Sequence, residues 1–252
     1  MKELLNQSNK YIPPYNFVVS SRKINLYRYW YMIERRINMK VYDKIEAIFS
    51  RSFETKKTQK GVYNNPAVEV LKDSQWIGTE KIDGTNIRVH WDGYSISFAG
   101  RTDKAQIPPL LLKYLKEKFD CHELFEQIFG GKDVILFGEG YGKKINGNYL
   151  GKEDVDFILF DVYINGLYLE RKAVEEIASL LNVKIVPITK QGTLDELVEL
   201  VEKGFGSYLN KEVTAEGIVA RPLVELRTNN GKRVITKIKY RDLHEKGGKI
   251  ND

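Results

Sequence analysis

The chain has one cysteine, Cys121, in 252 residues. That excludes an intramolecular disulfide, offers no thiol cluster to a metal, and fits a reducing compartment. No apolar run approaches the ~20 residues that cross a bilayer, so no membrane partner is expected. Charges interrupt the N-terminus before a signal-peptide core can form, and the cytoplasm is the expected location. Internal repeats and low-complexity segments are also missing. What remains is an ordinary globular composition, 42% hydrophobic and 29% charged. The length suits one large domain or two small ones.

Charge is unevenly spread. Residues 1–40 hold eight Lys/Arg against two Asp/Glu, so the whole formal surplus of +6 sits there and 41–252 is balanced. Overall basicity therefore says little about what the body binds. The arm, residues 1–39, mixes its bases with Tyr27, Tyr29, Trp30 and Tyr31. It reads as an amphipathic helix packed on the body or as an extension; a basic-aromatic surface that grips RNA is the sharper alternative. Met39–Phe49 reads as the first helix of a compact domain, and Met39 as a possible natural start.

Beyond it the pattern is mainly short strands. Trp76–Lys81 and Asn86–Trp91 flank a tight Asp83-Gly84 turn, and Asp92-Gly93 turns into a strand over Tyr94–Phe98. Pro109–Phe119 and His122–Phe129 have helical apolar spacing. Val134–Gly138, Phe157–Ile164 and Leu167–Leu169 read as strands, the last two joined by an Asn165-Gly166 turn. Lys172–Leu181 is a predicted helix, and Thr193-x-x-Glu196 is a capping box that starts another. Gly217–Arg221 and Arg233–Tyr240 read as strands, with Asn229-Asn230-Gly231 turning before the second. Hairpins outnumber strand–helix–strand units, which predicts an α+β fold of largely antiparallel sheets with flanking helices.

Six segments carry chemistry. In Glu80-Lys81-Ile82-Asp83-Gly84-Thr85-Asn86, a lysine ends a strand beside a glycine turn, where Gly84 supplies backbone freedom. As a nucleophile Lys81 must lose its proton, which from a reference pKa of ~10.4 asks for burial and neighbouring cations. Thr236-Lys237-Ile238-Lys239 supplies such cations: two lysines two apart on a strand share one face, suited to an α-phosphate and a leaving pyrophosphate. Glu139 and Glu216 stand in glycine-rich strand ends, apt for a ribose hydroxyl or hydrated Mg²⁺. Asp156–Asp161 offers Phe157 or Phe160 to stack on a base. Arg101, after Gly100, suits a phosphate. Each alone has an ordinary reading: a surface turn, a solvated strand end, a core aromatic or an edge-strand lysine. The combination, in this order, is what points to a site.

In that order the chain resembles the covalent nucleotidyltransferase superfamily of ligases and capping enzymes. The likeness is nearest to the RNA ligase 2 family known from bacteriophage and covers about Lys40 to Glu245. It implies a nucleotidyltransferase (ATP-grasp-like) adenylation domain over 40–252, with the arm before it. It implies Lys81, Lys237 and Lys239 as catalytic residues. Glu80, Asn86, Arg101, Glu139, Phe160 and Glu216, with the two motif lysines, would hold the nucleotide. Asp83, Glu139 and Glu216 would surround a metal, Mg²⁺ or Mn²⁺. Asn86 stands where DNA ligases and capping enzymes carry arginine, which favours RNA. Asp83 departs from the histidine of the phage prototype.

The implied reaction is that of an ATP-dependent RNA ligase. ATP donates AMP to Lys81, AMP passes to a 5′-phosphate, and a 3′-hydroxyl displaces it, an RNA-repair chemistry acting on RNA ends or nicked RNA. With thirteen residues after Lys239, no C-terminal OB-fold or RNA ligase C-terminal domain is expected. An RNA-binding protein or domain supplied in trans would then be an added partner. A DNA ligase, an adenylyltransferase with another acceptor, and a non-sealing nucleotide- or RNA-binding module are the other readings open.

Overall fold

The computed structural model describes residues 39–244, together with the backbone of 16–19 and 22–25. Contacts divide the chain into two units, Met1–Lys40 and Val41–Asp252. In the first, β1 (Asn16–Val19) and β2 (Arg22–Asn25) pair antiparallel, Val19 opposite Arg22. The described part of the arm is thus a hairpin and not a helix, in keeping with its β-branched Val18, Val19 and Ile24. Tyr27, Tyr29, Trp30 and Tyr31 lie outside the described residues.

The second unit begins with three short strands, β3 (Glu46–Ala47), β4 (Phe49–Arg51) and β5 (Thr58–Tyr63), and one helix, α1 (Pro66–Val70). Next come β6 (Trp76–Glu80), β7 (Thr85–Trp91), β8 (Ile96–Ala99), α2 (Pro109–Lys118) and α3 (His122–Phe129). β9 (Val134–Gly142), β10 (Val155–Ile164), β11 (Leu167–Tyr168), α4 (Arg171–Leu180) and β12 (Lys184–Ile185) follow. The chain then forms β13 (Ile188–Gly192), α5 (Leu194–Lys203), β14 (Gly217–Pro222), β15 (Thr236–Lys239) and α6 (Tyr240–Leu243). The helix expected over Met39–Phe49 is absent. Its residues are drawn instead into strand pairing: β3 runs parallel to β15, with Ala47 opposite Lys237, and the Ile48 N–H donates to the Lys237 carbonyl. A long-range ladder overrides the local helical spacing.

Two sheets carry the unit. One has the order β11-β10-β9-β7-β8 with β12 beside β10; the other runs β13-β6-β14-β15-β3. Apart from the β10–β12 and β15–β3 pairs the contacts are antiparallel, so the predicted α+β class holds. Alternation assigns the faces. On the first sheet Ile87, Val89, Trp91, Leu136, Phe157 and Leu159 pack with Leu111, Leu115, Phe125 and Val174 of the helices. On the second, Trp76, Ile218, Ala220 and Ile238 pack with Leu194, Leu197 and Val201 of α5. That helix starts with the predicted capping box, Thr193 and Glu196 bonding reciprocally. The opposite faces of the two sheets look onto one cleft.

The Asp83-Gly84 turn does not close a hairpin. β6 lies in one sheet and β7 in the other, so Lys81–Gly84 steps between them. Ile82 is buried at the step with Tyr141, Leu150, Ile158 and Val186. Gly84 is required by close approach and not by an unusual φ: a Cβ there would sit 2.3 Å from the Gly140 carbonyl oxygen. Gly138 is likewise needed because a Cβ would meet the Phe157 ring at 2.2 Å. Part of the glycine richness around Glu139 is therefore packing.

Candidate active site

Between the two sheets lies a cavity of about 380 Å³, walled among others by Glu80, Lys81, Asn86, Arg101, Glu139, Phe160 and Lys237. That size suits a small-molecule ligand. Asn86 and Glu139 are directly opposed across β7 and β9, so their side chains stand side by side on the cleft face. The Asn86 Oδ1 is buried with no hydrogen-bond partner among the described residues, a group awaiting a donor.

Lys81 follows the last residue of β6. Its Nζ lies 2.6 Å from Glu216 Oε2, and Lys239 Nζ lies 2.6 Å from Glu216 Oε1. One carboxylate thus bridges two of the three expected catalytic lysines. Burial alone would raise the Glu216 carboxyl; the Lys81 and Lys239 ammoniums outweigh it and hold it below its ordinary value. β15 turns Thr236 and Ile238 into the core and leaves Lys237 and Lys239 half-exposed, the predicted one-face arrangement. Burial, then Lys239, Lys81 and Lys44, push the Lys237 ammonium below its usual range.

Glu139 behaves in the opposite sense. Burial pushes its carboxyl up to about 8, against the pull of Lys81 and with help from Glu216 and Asp83. The three carboxyls expected around a metal are therefore close enough to feel one another. Among the described residues, however, no group of three or more His, Cys, Asp or Glu is arranged to hold a metal directly. Both Glu216 oxygens are occupied by lysines, and Asp83 Oδ1 accepts from Asn146 Nδ2 at 3.1 Å. This donor set fits a cation held through water. Like-charge crowding at Glu139 is what such a cation relieves.

The two aromatics separate cleanly. Phe157 is buried in the core. At Phe160 the β9–β10 register slips, from Leu159 opposite Gly138 to Asp161 opposite Phe137, so Phe160 is the extra residue of a bulge. A bulge re-aims side chains. Leu159 and Val162 stay in the core, while Phe160 and Asp161 line the cavity, where Val186, Val219 and Ile235 add apolar surface. Glu80 also contributes to the wall, but its Oε2 accepts from the Tyr208 N–H at 2.8 Å and its Oε1 is buried without a partner among the described residues. Its carboxylate holds the loop before Glu216, a task the spacing of the motif did not suggest.

Several site residues carry no local sequence signal. The Tyr42 hydroxyl donates to Asp161 at 2.6 Å, and its ring meets Phe160 edge-on at 5.1 Å. Arg221 and Arg233 clamp the same Asp161 at 3.2 and 2.7 Å, and Glu225 holds Arg233. Burial, and then Asp161, raise the Tyr42 phenol well above its ordinary range. Asn146 pins the Asp83-Gly84 turn, donating to Gly84 O at 2.5 Å as well as to Asp83. Tyr42 and Asp161 are 119 residues apart, beyond the reach of any motif spacing.

Residues 74–239 match the RNA ligase family, well over half the chain, and the chain belongs to that family. Solved structures share its fold. A mutant of the Naegleria gruberi RNA ligase with ATP and Mn superposes with a TM-score of 0.56 at 24% identity, over 78% of this chain and 59% of that one. The same enzyme with PPi gives 0.57 at 23%, over 82% and 64%. An apo mutant gives 0.57 at 22%, over 88% and 71%. The chain spans about three fifths of the first of these relatives.

Proposed function

We propose that the protein is an ATP-dependent RNA ligase that carries AMP on Lys81. The observation that carries this is the placement of Lys81: at the step between two sheets, bridged through Glu216 to Lys239, at a cavity of about 380 Å³. In the first step Nζ attacks the α-phosphorus of ATP and the bond to the β-phosphate oxygen breaks. Pyrophosphate leaves with that electron pair, and the Nζ proton passes to solvent. Before this, Lys81 has to leave Glu216, whose other partner Lys239 remains to hold it. AMP then moves to a 5′-phosphate, and a 3′-hydroxyl displaces it to seal the strand.

Each residue has a task in this reading. Phe160 stacks on the base within the apolar slot, Glu139 takes a ribose hydroxyl, Asn86 offers its Oδ1 to a donor on the nucleotide, and Arg101 and Lys237 face the phosphates. Positioning and charge neutralisation supply the acceleration. Glu139 and Asp83, with Glu216, would hold Mg²⁺ or Mn²⁺ through water. When bound, such an ion neutralises phosphate charge. Asn86 favours RNA ends or nicked RNA over DNA, and RNA repair in the cytoplasm is the setting we assign. Among the described residues no helix is long and apolar enough to cross a membrane.

The test is covalent labelling. Incubation with α-labelled ATP and Mg²⁺ should leave protein-bound, acid-labile, alkali-stable label, as a phosphoramidate requires, and Lys81→Ala should abolish it. Equal labelling of the variant would remove Lys81 from the chemistry. Matched RNA and DNA nicks, with and without preadenylated 5′ ends, then test the acceptor. Efficient DNA sealing with no RNA joining would overturn the assignment to RNA.

A further inference from the structure

Three cations on the cavity wall, Lys44, Arg101 and Lys237, are in no ion pair among the described residues. The other two basic side chains on that wall are committed, Lys81 to Glu216 and Arg221 to Asp161. The same wall carries Asp43, Glu80, Glu139 and Asp161, so it is the stretch around Lys44, Arg101 and Lys237, and not the whole cavity, that suits an anion. The Glu80–Asn86 segment and the last strand account for Lys81 and Lys237. Lys44 belongs to neither, lying in the segment that was expected to be helical.

The backbone holds Lys44 at this rim. Two residues before it, Tyr42 is tied through its hydroxyl to the clamped Asp161. Two residues after it, β3 begins and runs beside β15, with Glu46 opposite Thr236 and Ala47 opposite Lys237. The lysine is itself exposed, so no packing duty explains its position. It is also close enough to Lys237 to weaken that lysine's hold on its proton. An exposed cation fixed beside a second, half-buried one makes a two-point seat for a polyphosphate chain at the mouth of the cavity.

We infer that Lys44, acting with Lys237, binds the β- and γ-phosphates of the nucleotide and the pyrophosphate that leaves when Lys81 is adenylylated. This rests on the ATP reading proposed above. In that step the electron pair of the breaking P–O bond goes to the pyrophosphate oxygen, so negative charge grows on the group that Lys44 faces. Lys44 is thus a substrate-binding residue for the leaving group.

The experiment is titration calorimetry of the full chain with inorganic pyrophosphate and, separately, AMP, for wild type, Lys44→Ala and Lys44→Arg. Lys44→Ala should weaken pyrophosphate binding about fivefold, the scale of an exposed ion pair. Lys44→Arg should restore it. AMP affinity should move much less than pyrophosphate affinity. With the lysyl-AMP adduct in hand, the pyrophosphate concentration for half-maximal reversal should rise by the same factor. Unchanged pyrophosphate affinity in Lys44→Ala overturns the inference. So does a loss of RNA affinity with pyrophosphate affinity intact, which would assign Lys44 to an RNA phosphate. If wild type binds pyrophosphate through Lys44 yet never forms the adduct, the ATP reading fails while the anion seat stands.

Discussion

The two walls of the cleft differ in kind. The six-stranded sheet brings Asn86, Glu139, the bulged Phe160 and the buried Asp161 to the cavity wall. The five-stranded sheet brings cations: Arg221 on β14, Lys237 and Lys239 on β15, and Lys81 just past β6. Opposite charge joins them, most deeply where Asp161 of one sheet meets Arg221 and Arg233 on the other side. The lesson is that the same electrostatic contrast both holds the sheets in register and leaves a surplus of cations facing the cavity.

The largest effect should come from cutting the joint itself. Asp161→Ala would leave the partly buried Arg221 without its carboxylate and the buried Arg233 with Glu225 alone, and losing one partner of a buried pair costs ~3–5 kcal/mol. Urea unfolding of wild type and variant measures it; a loss below ~1 kcal/mol would show that the sheets are held by apolar contacts alone. Next, the walls should fail differently. Lys237→Ala, on the cationic wall, should slow adenylylation ~10²–10³-fold at saturating ATP, the scale for a transition-state charge stabiliser. Phe160→Ala, on the opposite wall, should mainly weaken ATP binding, by ~1–3 kcal/mol of lost stacking. Saturation kinetics separate the two, and identical signatures from both variants would erase the contrast.

The third effect builds up with pH and is read as a slope. Glu139 ionises in the folded protein at about 8, well above its ordinary value. Between these values the native state holds a proton that the unfolded chain has lost, so stability falls as pH rises through the window. Glu139→Gln should flatten that fall, and the variant should gain on wild type steadily from pH ~5 to ~8 when no nucleotide or metal is added. Thermal unfolding across the range reads it. Parallel curves would show that Glu139 is not the group responsible.

Much of this molecule was legible without coordinates. Asp92-Gly93 marked the turn between β7 and β8, Asn165-Gly166 that between β10 and β11, the two-residue spacing of Lys237 and Lys239 their shared face on β15, and Thr193 with Glu196 a helix start. Those signals are local, carried by residues within a turn or a strand of one another. Tertiary structure alone decided the rest. Met39–Phe49 had helical spacing but became strand and wall because β15 offered it a ladder. Gly84, read as a source of backbone freedom, is there because the Gly140 carbonyl comes too near for a Cβ. Choosing Phe160 over Phe157 took a family resemblance in the sequence; in space a one-residue bulge achieves it. Tyr42, Lys44 and Asn146 entered the site only through contacts between segments far apart in the chain. The sequence determines which residues can do the chemistry, because that is a property of each side chain. Which of them meet is set by two sheets packed across a cleft, because proximity between distant residues exists only once the chain has folded.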